Sequence, residues 1–120
     1  DGDGIPNGWE SNYFGSATGA MPYVDSDTDR FSNVQEYLAD TDPTNPASFF
    51  HVGAISNDGS RLVFFLSSTG RSYTLQQTTN VVQSDSWESG TPQMGSGDVM
   101  SFGDSSDYTG CVYRIRVTLP

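Results

Sequence analysis

The stretch DSDTDRFSNVQE, residues 25–36, concentrates oxygen donors at a fixed spacing. Asp25, Asp27 and Asp29 occupy alternate positions, Asn33 follows four residues later, and Glu36 closes the run at the twelfth. Like charges this close repel, so the segment either stays solvated and loose or is drawn together by a cation. Carboxylates and an amide are hard ligands, which points away from thiophilic metals and towards an alkaline-earth ion.

The spacing sharpens that reading. A calcium loop of the EF-hand type takes side-chain oxygens from positions 1, 3 and 5 and a backbone carbonyl from position 7. Position 9 acts through water, and a Glu at position 12 gives both of its oxygens. Here those positions are Asp25, Asp27, Asp29, the Phe31 carbonyl, Asn33 and Glu36. Ser32 and Gln35 can form a capping box, and NVQEYLA continues as a helix to about Ala39, stopped before Asp42-Pro43. One position departs from the pattern. The sixth, where a positive φ favours glycine, is Arg30, at a cost of about 1 kcal/mol that weakens the site without abolishing it.

A truncated second copy precedes it. Asp1, Asp3, the Ile5 carbonyl, Asn7 and Glu10 fit positions 3, 5, 7, 9 and 12, with Gly4 at position 6. The first ligand would fall two residues before Asp1, so the chain is expected to be part of a longer protein. Without that ligand the first site is expected either to be weak or to be completed by Asp40 or Asp42 folding back.

The elements that must carry these loops differ along the chain. Residues 1–48 hold nine of the fifteen acids and one arginine, a local charge of −8; residues 49–120 carry −2. DTDPTNPAS, residues 40–48, reads as an extended connector. The expected division is a loop–helix module over 1–46 and an antiparallel β module over 47–120. RLVFFL (61–66) is apolar on both faces and is expected to be buried on both. Asn57-Asp58-Gly59 marks a hairpin joining it to residues 49–55. Residues 73–78 alternate, and so does 111–119, where Cys111, Tyr113, Ile115, Val117 and Leu119 oppose Arg114, Arg116 and Thr118. The predicted fold is therefore mainly β: a small antiparallel β-sandwich preceded by a calcium-binding loop–helix module.

Composition narrows function. A net charge of −10 without any lysine leaves no positive patch for nucleic acid, and no apolar run reaches the roughly 20 residues that span a bilayer. Catalysis is not expected. Cys111 and His51 are single and distant, and most acids of the first half are committed to the loops. For the β module the expected partner is a polysaccharide or oligosaccharide. Trp87 and Tyr108 would be stacking platforms, with Gln76, Gln77 and Asn80 bonding hydroxyls. The alternative is a structural spacer or surface-attachment module made rigid by calcium. Trp9 is expected to pack behind the first loop.

DGDGIPNGWE followed by DSDTDRFSNVQEYLADTDPTNP resembles the paired calcium repeats of dockerins and of thrombospondin type 3-like segments, over residues 1 to about 46. SYTLQQTTNVVQSDSW with the later VYRIRV is similar to small fibronectin-III-like domains of secreted bacterial enzymes and surface proteins. Together the resemblances imply a secreted or cell-surface ancillary module. Dockerins bind cohesins through loop positions 10 and 11. Those are Gly8-Trp9 and Val34-Gln35 here, not small hydroxyl pairs, so cohesin recognition is not carried over.

Overall fold

In the computed structural model the described residues are 1–57, 60–79, 82, 87–104 and 112–120; of Ile55–Asn57, Ser60, Arg61 and Asp104 only the backbone is described. They form two compact units, Asp1–Phe50 and His51–Pro120.

The first unit has two short helices, α1 (Asn7–Phe14) and α2 (Asn33–Ala39). Each begins at the ninth position of its loop. Pro6 precedes α1, where its fixed φ and missing N–H suit a helix start. At α2 the Ser32 N–H donates to Gln35 Oε1 at 2.8 Å, one half of the expected capping box. Both helices end on a left-handed residue, Gly15 (φ 73°) and Asp40 (φ 61°). Trp9 packs against Tyr13 and Phe14 of its own helix and Tyr37 of α2, at centroid distances of 4.8, 6.2 and 5.8 Å. That small aromatic cluster ties the two helices together.

Residues 40–48 are not the extended connector that their prolines suggested. They fold into turns of the first unit. Asp42 N donates to Ser48 Oγ (3.0 Å) and Ser48 N to the Asn45 carbonyl (2.8 Å), and the Phe49 ring stacks on Phe31. Pro, Asn and Asp preset turn geometry as readily as extension, and local hydrogen bonds made the choice.

The second unit is mainly β, with two antiparallel sheets. One sheet has the order β1-β2-β6 (Val52–Asn57, Ser60–Leu66, Val99–Asp104). In the other, β3 (Ser72–Thr78) pairs with β7 (Val112–Thr118) and with the short β4 (Glu88–Ser89) and β5 (Gln93–Met94). Asn57 opposes Ser60, so β1 and β2 are joined through two residues, as the Asn-Asp-Gly signal requires. Phe65 of the first sheet meets Tyr73 of the second (4.9 Å) and Phe102 beside it (5.7 Å); with Val63 these rings form the sandwich core.

Burial of β2 on both faces is corrected. Val63 and Phe65 are buried, but on the other face Leu62 is exposed and Leu66 is 65% exposed, beside its partner Val99 at 65%. A continuous apolar run does not reveal which of its faces the second sheet will cover. In β7 the alternation holds: Tyr113, Ile115 and Val117 are half-buried, whereas Arg114 and Arg116 are exposed. Cys111 lies outside the described residues. No helix among the described residues is long and apolar enough to cross a membrane.

Candidate metal centre

The two loops share one backbone design. Positive φ recurs at position 4 (Gly2, 85°; Thr28, 69°) and at position 6 (Gly4, 103°; Arg30, 84°). At position 7 the N–H of Ile5 donates to Asp3 Oδ1, and that of Phe31 to Asp29 Oδ1, both at 2.9 Å. The Glu of position 12 is the most buried acid in each, 0% exposed for Glu10 and 1% for Glu36. A carboxylate side chain taken fully out of water needs a partner of opposite charge or a proton.

In the second loop Asp25 organises the turn. Its Oδ1 accepts the N–H groups of Thr28 (2.6 Å) and Asp29 (3.2 Å), and its Oδ2 that of Arg30 (2.8 Å). Burial pulls its pKa upward, but these backbone donors outweigh that and hold it below the ordinary value. One carboxylate oxygen from each of Asp25, Asp27 and Asp29 lies within 4.8 Å of the others, so the trio can hold a metal ion. Asp1, Asp3 and Glu10 form an equivalent trio.

The decisive feature is what remains unpaired. Asp27 Oδ2, Asp29 Oδ2, Asn33 Oδ1 and Glu36 Oε2 are all buried and accept no hydrogen bond. A buried acceptor without a donor costs about 1–3 kcal/mol, and more when charged. The remaining polar atoms are engaged so as to orient these four. Asn33 Nδ2 donates to the Met21 carbonyl (2.9 Å), and Glu36 Oε1 accepts from Thr41 Oγ1 (3.2 Å). Burial first, then the charges of Asp27 and Asp29, push the Glu36 pKa up to about 7. Burial and Asp29 also raise Asp27. A metal ion held by the Asp25, Asp27 and Asp29 trio would give buried carboxylate oxygens of this kind a partner of opposite charge.

The first loop repeats this on a smaller scale. Glu10 Oε1 accepts the Ala20 N–H (3.1 Å), and Glu10 Oε2 is buried without a donor. Asn7 Oδ1 accepts from the Asp1 nitrogen (2.7 Å). Of the two alternatives for this site, completion by Asp40 or Asp42 is not the one seen, since neither belongs to the Asp1, Asp3 and Glu10 group. Asp40 is the left-handed cap of α2, and Asp42 Oδ1 is engaged by the backbone N–H (3.0 Å) and hydroxyl (2.7 Å) of Thr44. Their charges act on Tyr13 instead, whose phenol is raised by burial, then by Asp42, Asp40 and Glu36.

Arg30 takes up the left-handed conformation that position 6 demands, at the steric cost carried by any Cβ. Arg30→Gly is expected to stabilise the first unit by about 1 kcal/mol and to tighten cation binding several-fold, since it also removes the unit's one positive side chain. Denaturant melts and calorimetric titration of the variant check this; unchanged values would show that the loop bears no strain there.

The residues named for a glycan are arranged differently. The Arg114 guanidinium carbon lies 3.9 Å from the Trp87 ring centroid and covers one face of the indole. Arg114 Nε donates to Gln76 Oε1 (2.7 Å), and Gln76 Nε2 donates to Ser89 Oγ (2.9 Å). Both ends of the buried Gln76 amide are thus engaged within the protein. Gln77 instead lines a cleft of about 170 Å³ with Leu75, Glu88, Ser89 and Gly90, smaller than the roughly 300 Å³ at which ordinary ligand pockets begin. Tyr108 and Asn80 lie outside the described residues. Nothing in the residue order signals Arg114 as partner of Trp87, since they stand 27 positions apart and only strand pairing brings them together.

No family matches the chain, and neither does any curated protein or solved structure. The two acidic loops therefore stand on their own geometry.

Proposed function

We propose that residues 1–50 are a two-loop calcium module, and that the chain is a non-catalytic, calcium-stabilised ancillary part of a larger secreted or cell-surface protein. The observation that supports the calcium reading is the set of four buried oxygens without donors in the second loop, contributed by Asp27, Asp29, Asn33 and Glu36. Calcium suits them better than magnesium. It accepts six to eight oxygens in irregular geometry, whereas magnesium demands near-ideal octahedra and keeps its waters. Asp25, Asp27, Asp29, Asn33, the Phe31 carbonyl and Glu36 would hold the ion in the second loop. Asp1, Asp3, Asn7, the Ile5 carbonyl and Glu10 would hold it in the first.

Calorimetric titration of the full chain with calcium chloride should show saturable binding that survives a tenfold excess of magnesium. Absence of binding at millimolar calcium would sink the reading.

For the β unit, a rigid spacer is favoured over a carbohydrate-binding module, because Trp87 and Gln76 are spent on Arg114 and Ser89. Affinity electrophoresis through soluble polysaccharides tests this, with no retardation as the expected result. Retardation that disappears in Trp87→Ala would restore the glycan reading.

A further inference from the structure

We propose that the two cation loops are coupled through the backbone of Ala20 and Met21, so that filling one raises the affinity of the other; the proposal rests on the calcium reading above. Glu10, the buried position-12 acid of the first loop, accepts the N–H of Ala20. Asn33, the buried position-9 amide of the second loop, donates Nδ2–H to the carbonyl of Met21. Two adjacent residues therefore carry one hydrogen bond to a ligand of each loop. Both ligands keep a buried oxygen without a donor, Glu10 Oε2 and Asn33 Oδ1, and these are the atoms a cation would engage.

The segment is positioned by its backbone and not by its larger side chains. Met21 is 71% exposed and Tyr23 88%, while the small Ala20 is buried. Its further ties run to the start of α2: Asn33 N–H to the Val24 carbonyl and Val34 N–H to the Pro22 carbonyl, both 2.9 Å. At its other end Gly19 lies so close to α1 that an added Cβ would stand 2.6 Å from Phe14 Cβ. An ion that fixes Glu10 fixes the Ala20 N–H, and with it the carbonyl that aims the Asn33 amide. The same chain runs in reverse, and equilibrium coupling must be reciprocal.

Calcium titrations of the full chain can be read separately at the amide NMR signals of Gly4 and Arg30, one in each loop. Asp3→Asn disables the first loop while keeping an acceptor for the Ile5 N–H. It is expected to weaken calcium binding at the second loop about tenfold. Glu36→Gln should weaken the first loop by the same factor. Asn33→Asp keeps an oxygen ligand but loses the donor to Met21, so in that background Asp3→Asn should change second-loop affinity less than twofold. Two outcomes overturn the coupling while leaving the calcium reading intact. One is second-loop affinity unchanged by Asp3→Asn in the otherwise unaltered chain. The other is an equal loss with and without Asn33→Asp, which would assign the effect to through-space charge. If neither signal responds to calcium in the unaltered chain, the metal reading fails and the coupling with it.

Discussion

Removing calcium with a chelator will unfold residues 1–50 and leave the β unit folded. The first unit buries little apolar surface: Ile5 and Ala20 are its buried hydrophobic residues, and Glu10, Glu36 and Asn33 are among the largest side chains it buries fully. A unit of about 50 residues is already marginal on hydrophobic grounds, and two buried carboxylates lower that margin further. Binding at a thousand times Kd adds about 4 kcal/mol per site, comparable to the whole stability of so small a domain. Two thermal transitions are expected, of which only one moves with calcium. Trypsin offers a second readout, because Arg30 is the one basic residue in 1–50. Cleavage after Arg30 should be rapid in chelator and slow in calcium. Identical melting and identical cleavage in both buffers would refute the calcium requirement.

Glu36→Gln should invert the effect of the ion. Glutamine has nearly the same shape and carries no charge, so without calcium at pH 8 the variant should be more stable than the parent. With calcium the order should reverse, with affinity at the second loop falling at least about a hundredfold. The pH dependence follows from the same group. The folded pKa of about 7 lies above the ordinary value of 4.5, so the folded state retains a proton that the unfolded state has lost. Metal-free stability from this group is thus fully present below about pH 4.5 and is lost as pH rises through 7. In calcium the trend should oppose this, because the ion competes with the proton for the same carboxylate. Denaturant melts of parent and variant from pH 5 to 8 isolate Glu36, because the variant lacks that titration. Parallel curves in chelator would show that the buried acid bears no charge penalty.

Most of the first unit was legible because its logic is local. The αL turn at Arg30, the helix Asn33–Ala39 and the reach of Gln35 back to Ser32 all follow from residues within a few positions of one another. The strands at 72–78 and 112–118 were legible for a similar reason, since period-two patterning survives in each alone, but their pairing with each other was not. What was not legible depends on distant groups. Asp42 was free on paper to reach the first loop, yet Thr44, two residues away, captured it. RLVFFL showed two apolar faces, and only the packing of the sheets decided that Leu62 and Leu66 on one of them would be exposed.

The amino-acid order by itself determined which oxygens exist, how they are spaced, and that the chain divides into an acidic loop–helix part and a β part. Tertiary structure alone decided which of those oxygens are stripped of water and left without donors. It also placed the Ala20–Met21 backbone between a ligand of each loop, and turned Trp87 towards Arg114. The reason is physical. Ligand spacing is a property of a dozen consecutive residues, whereas burial and orphaned acceptors are created only when separate segments pack together and exclude solvent.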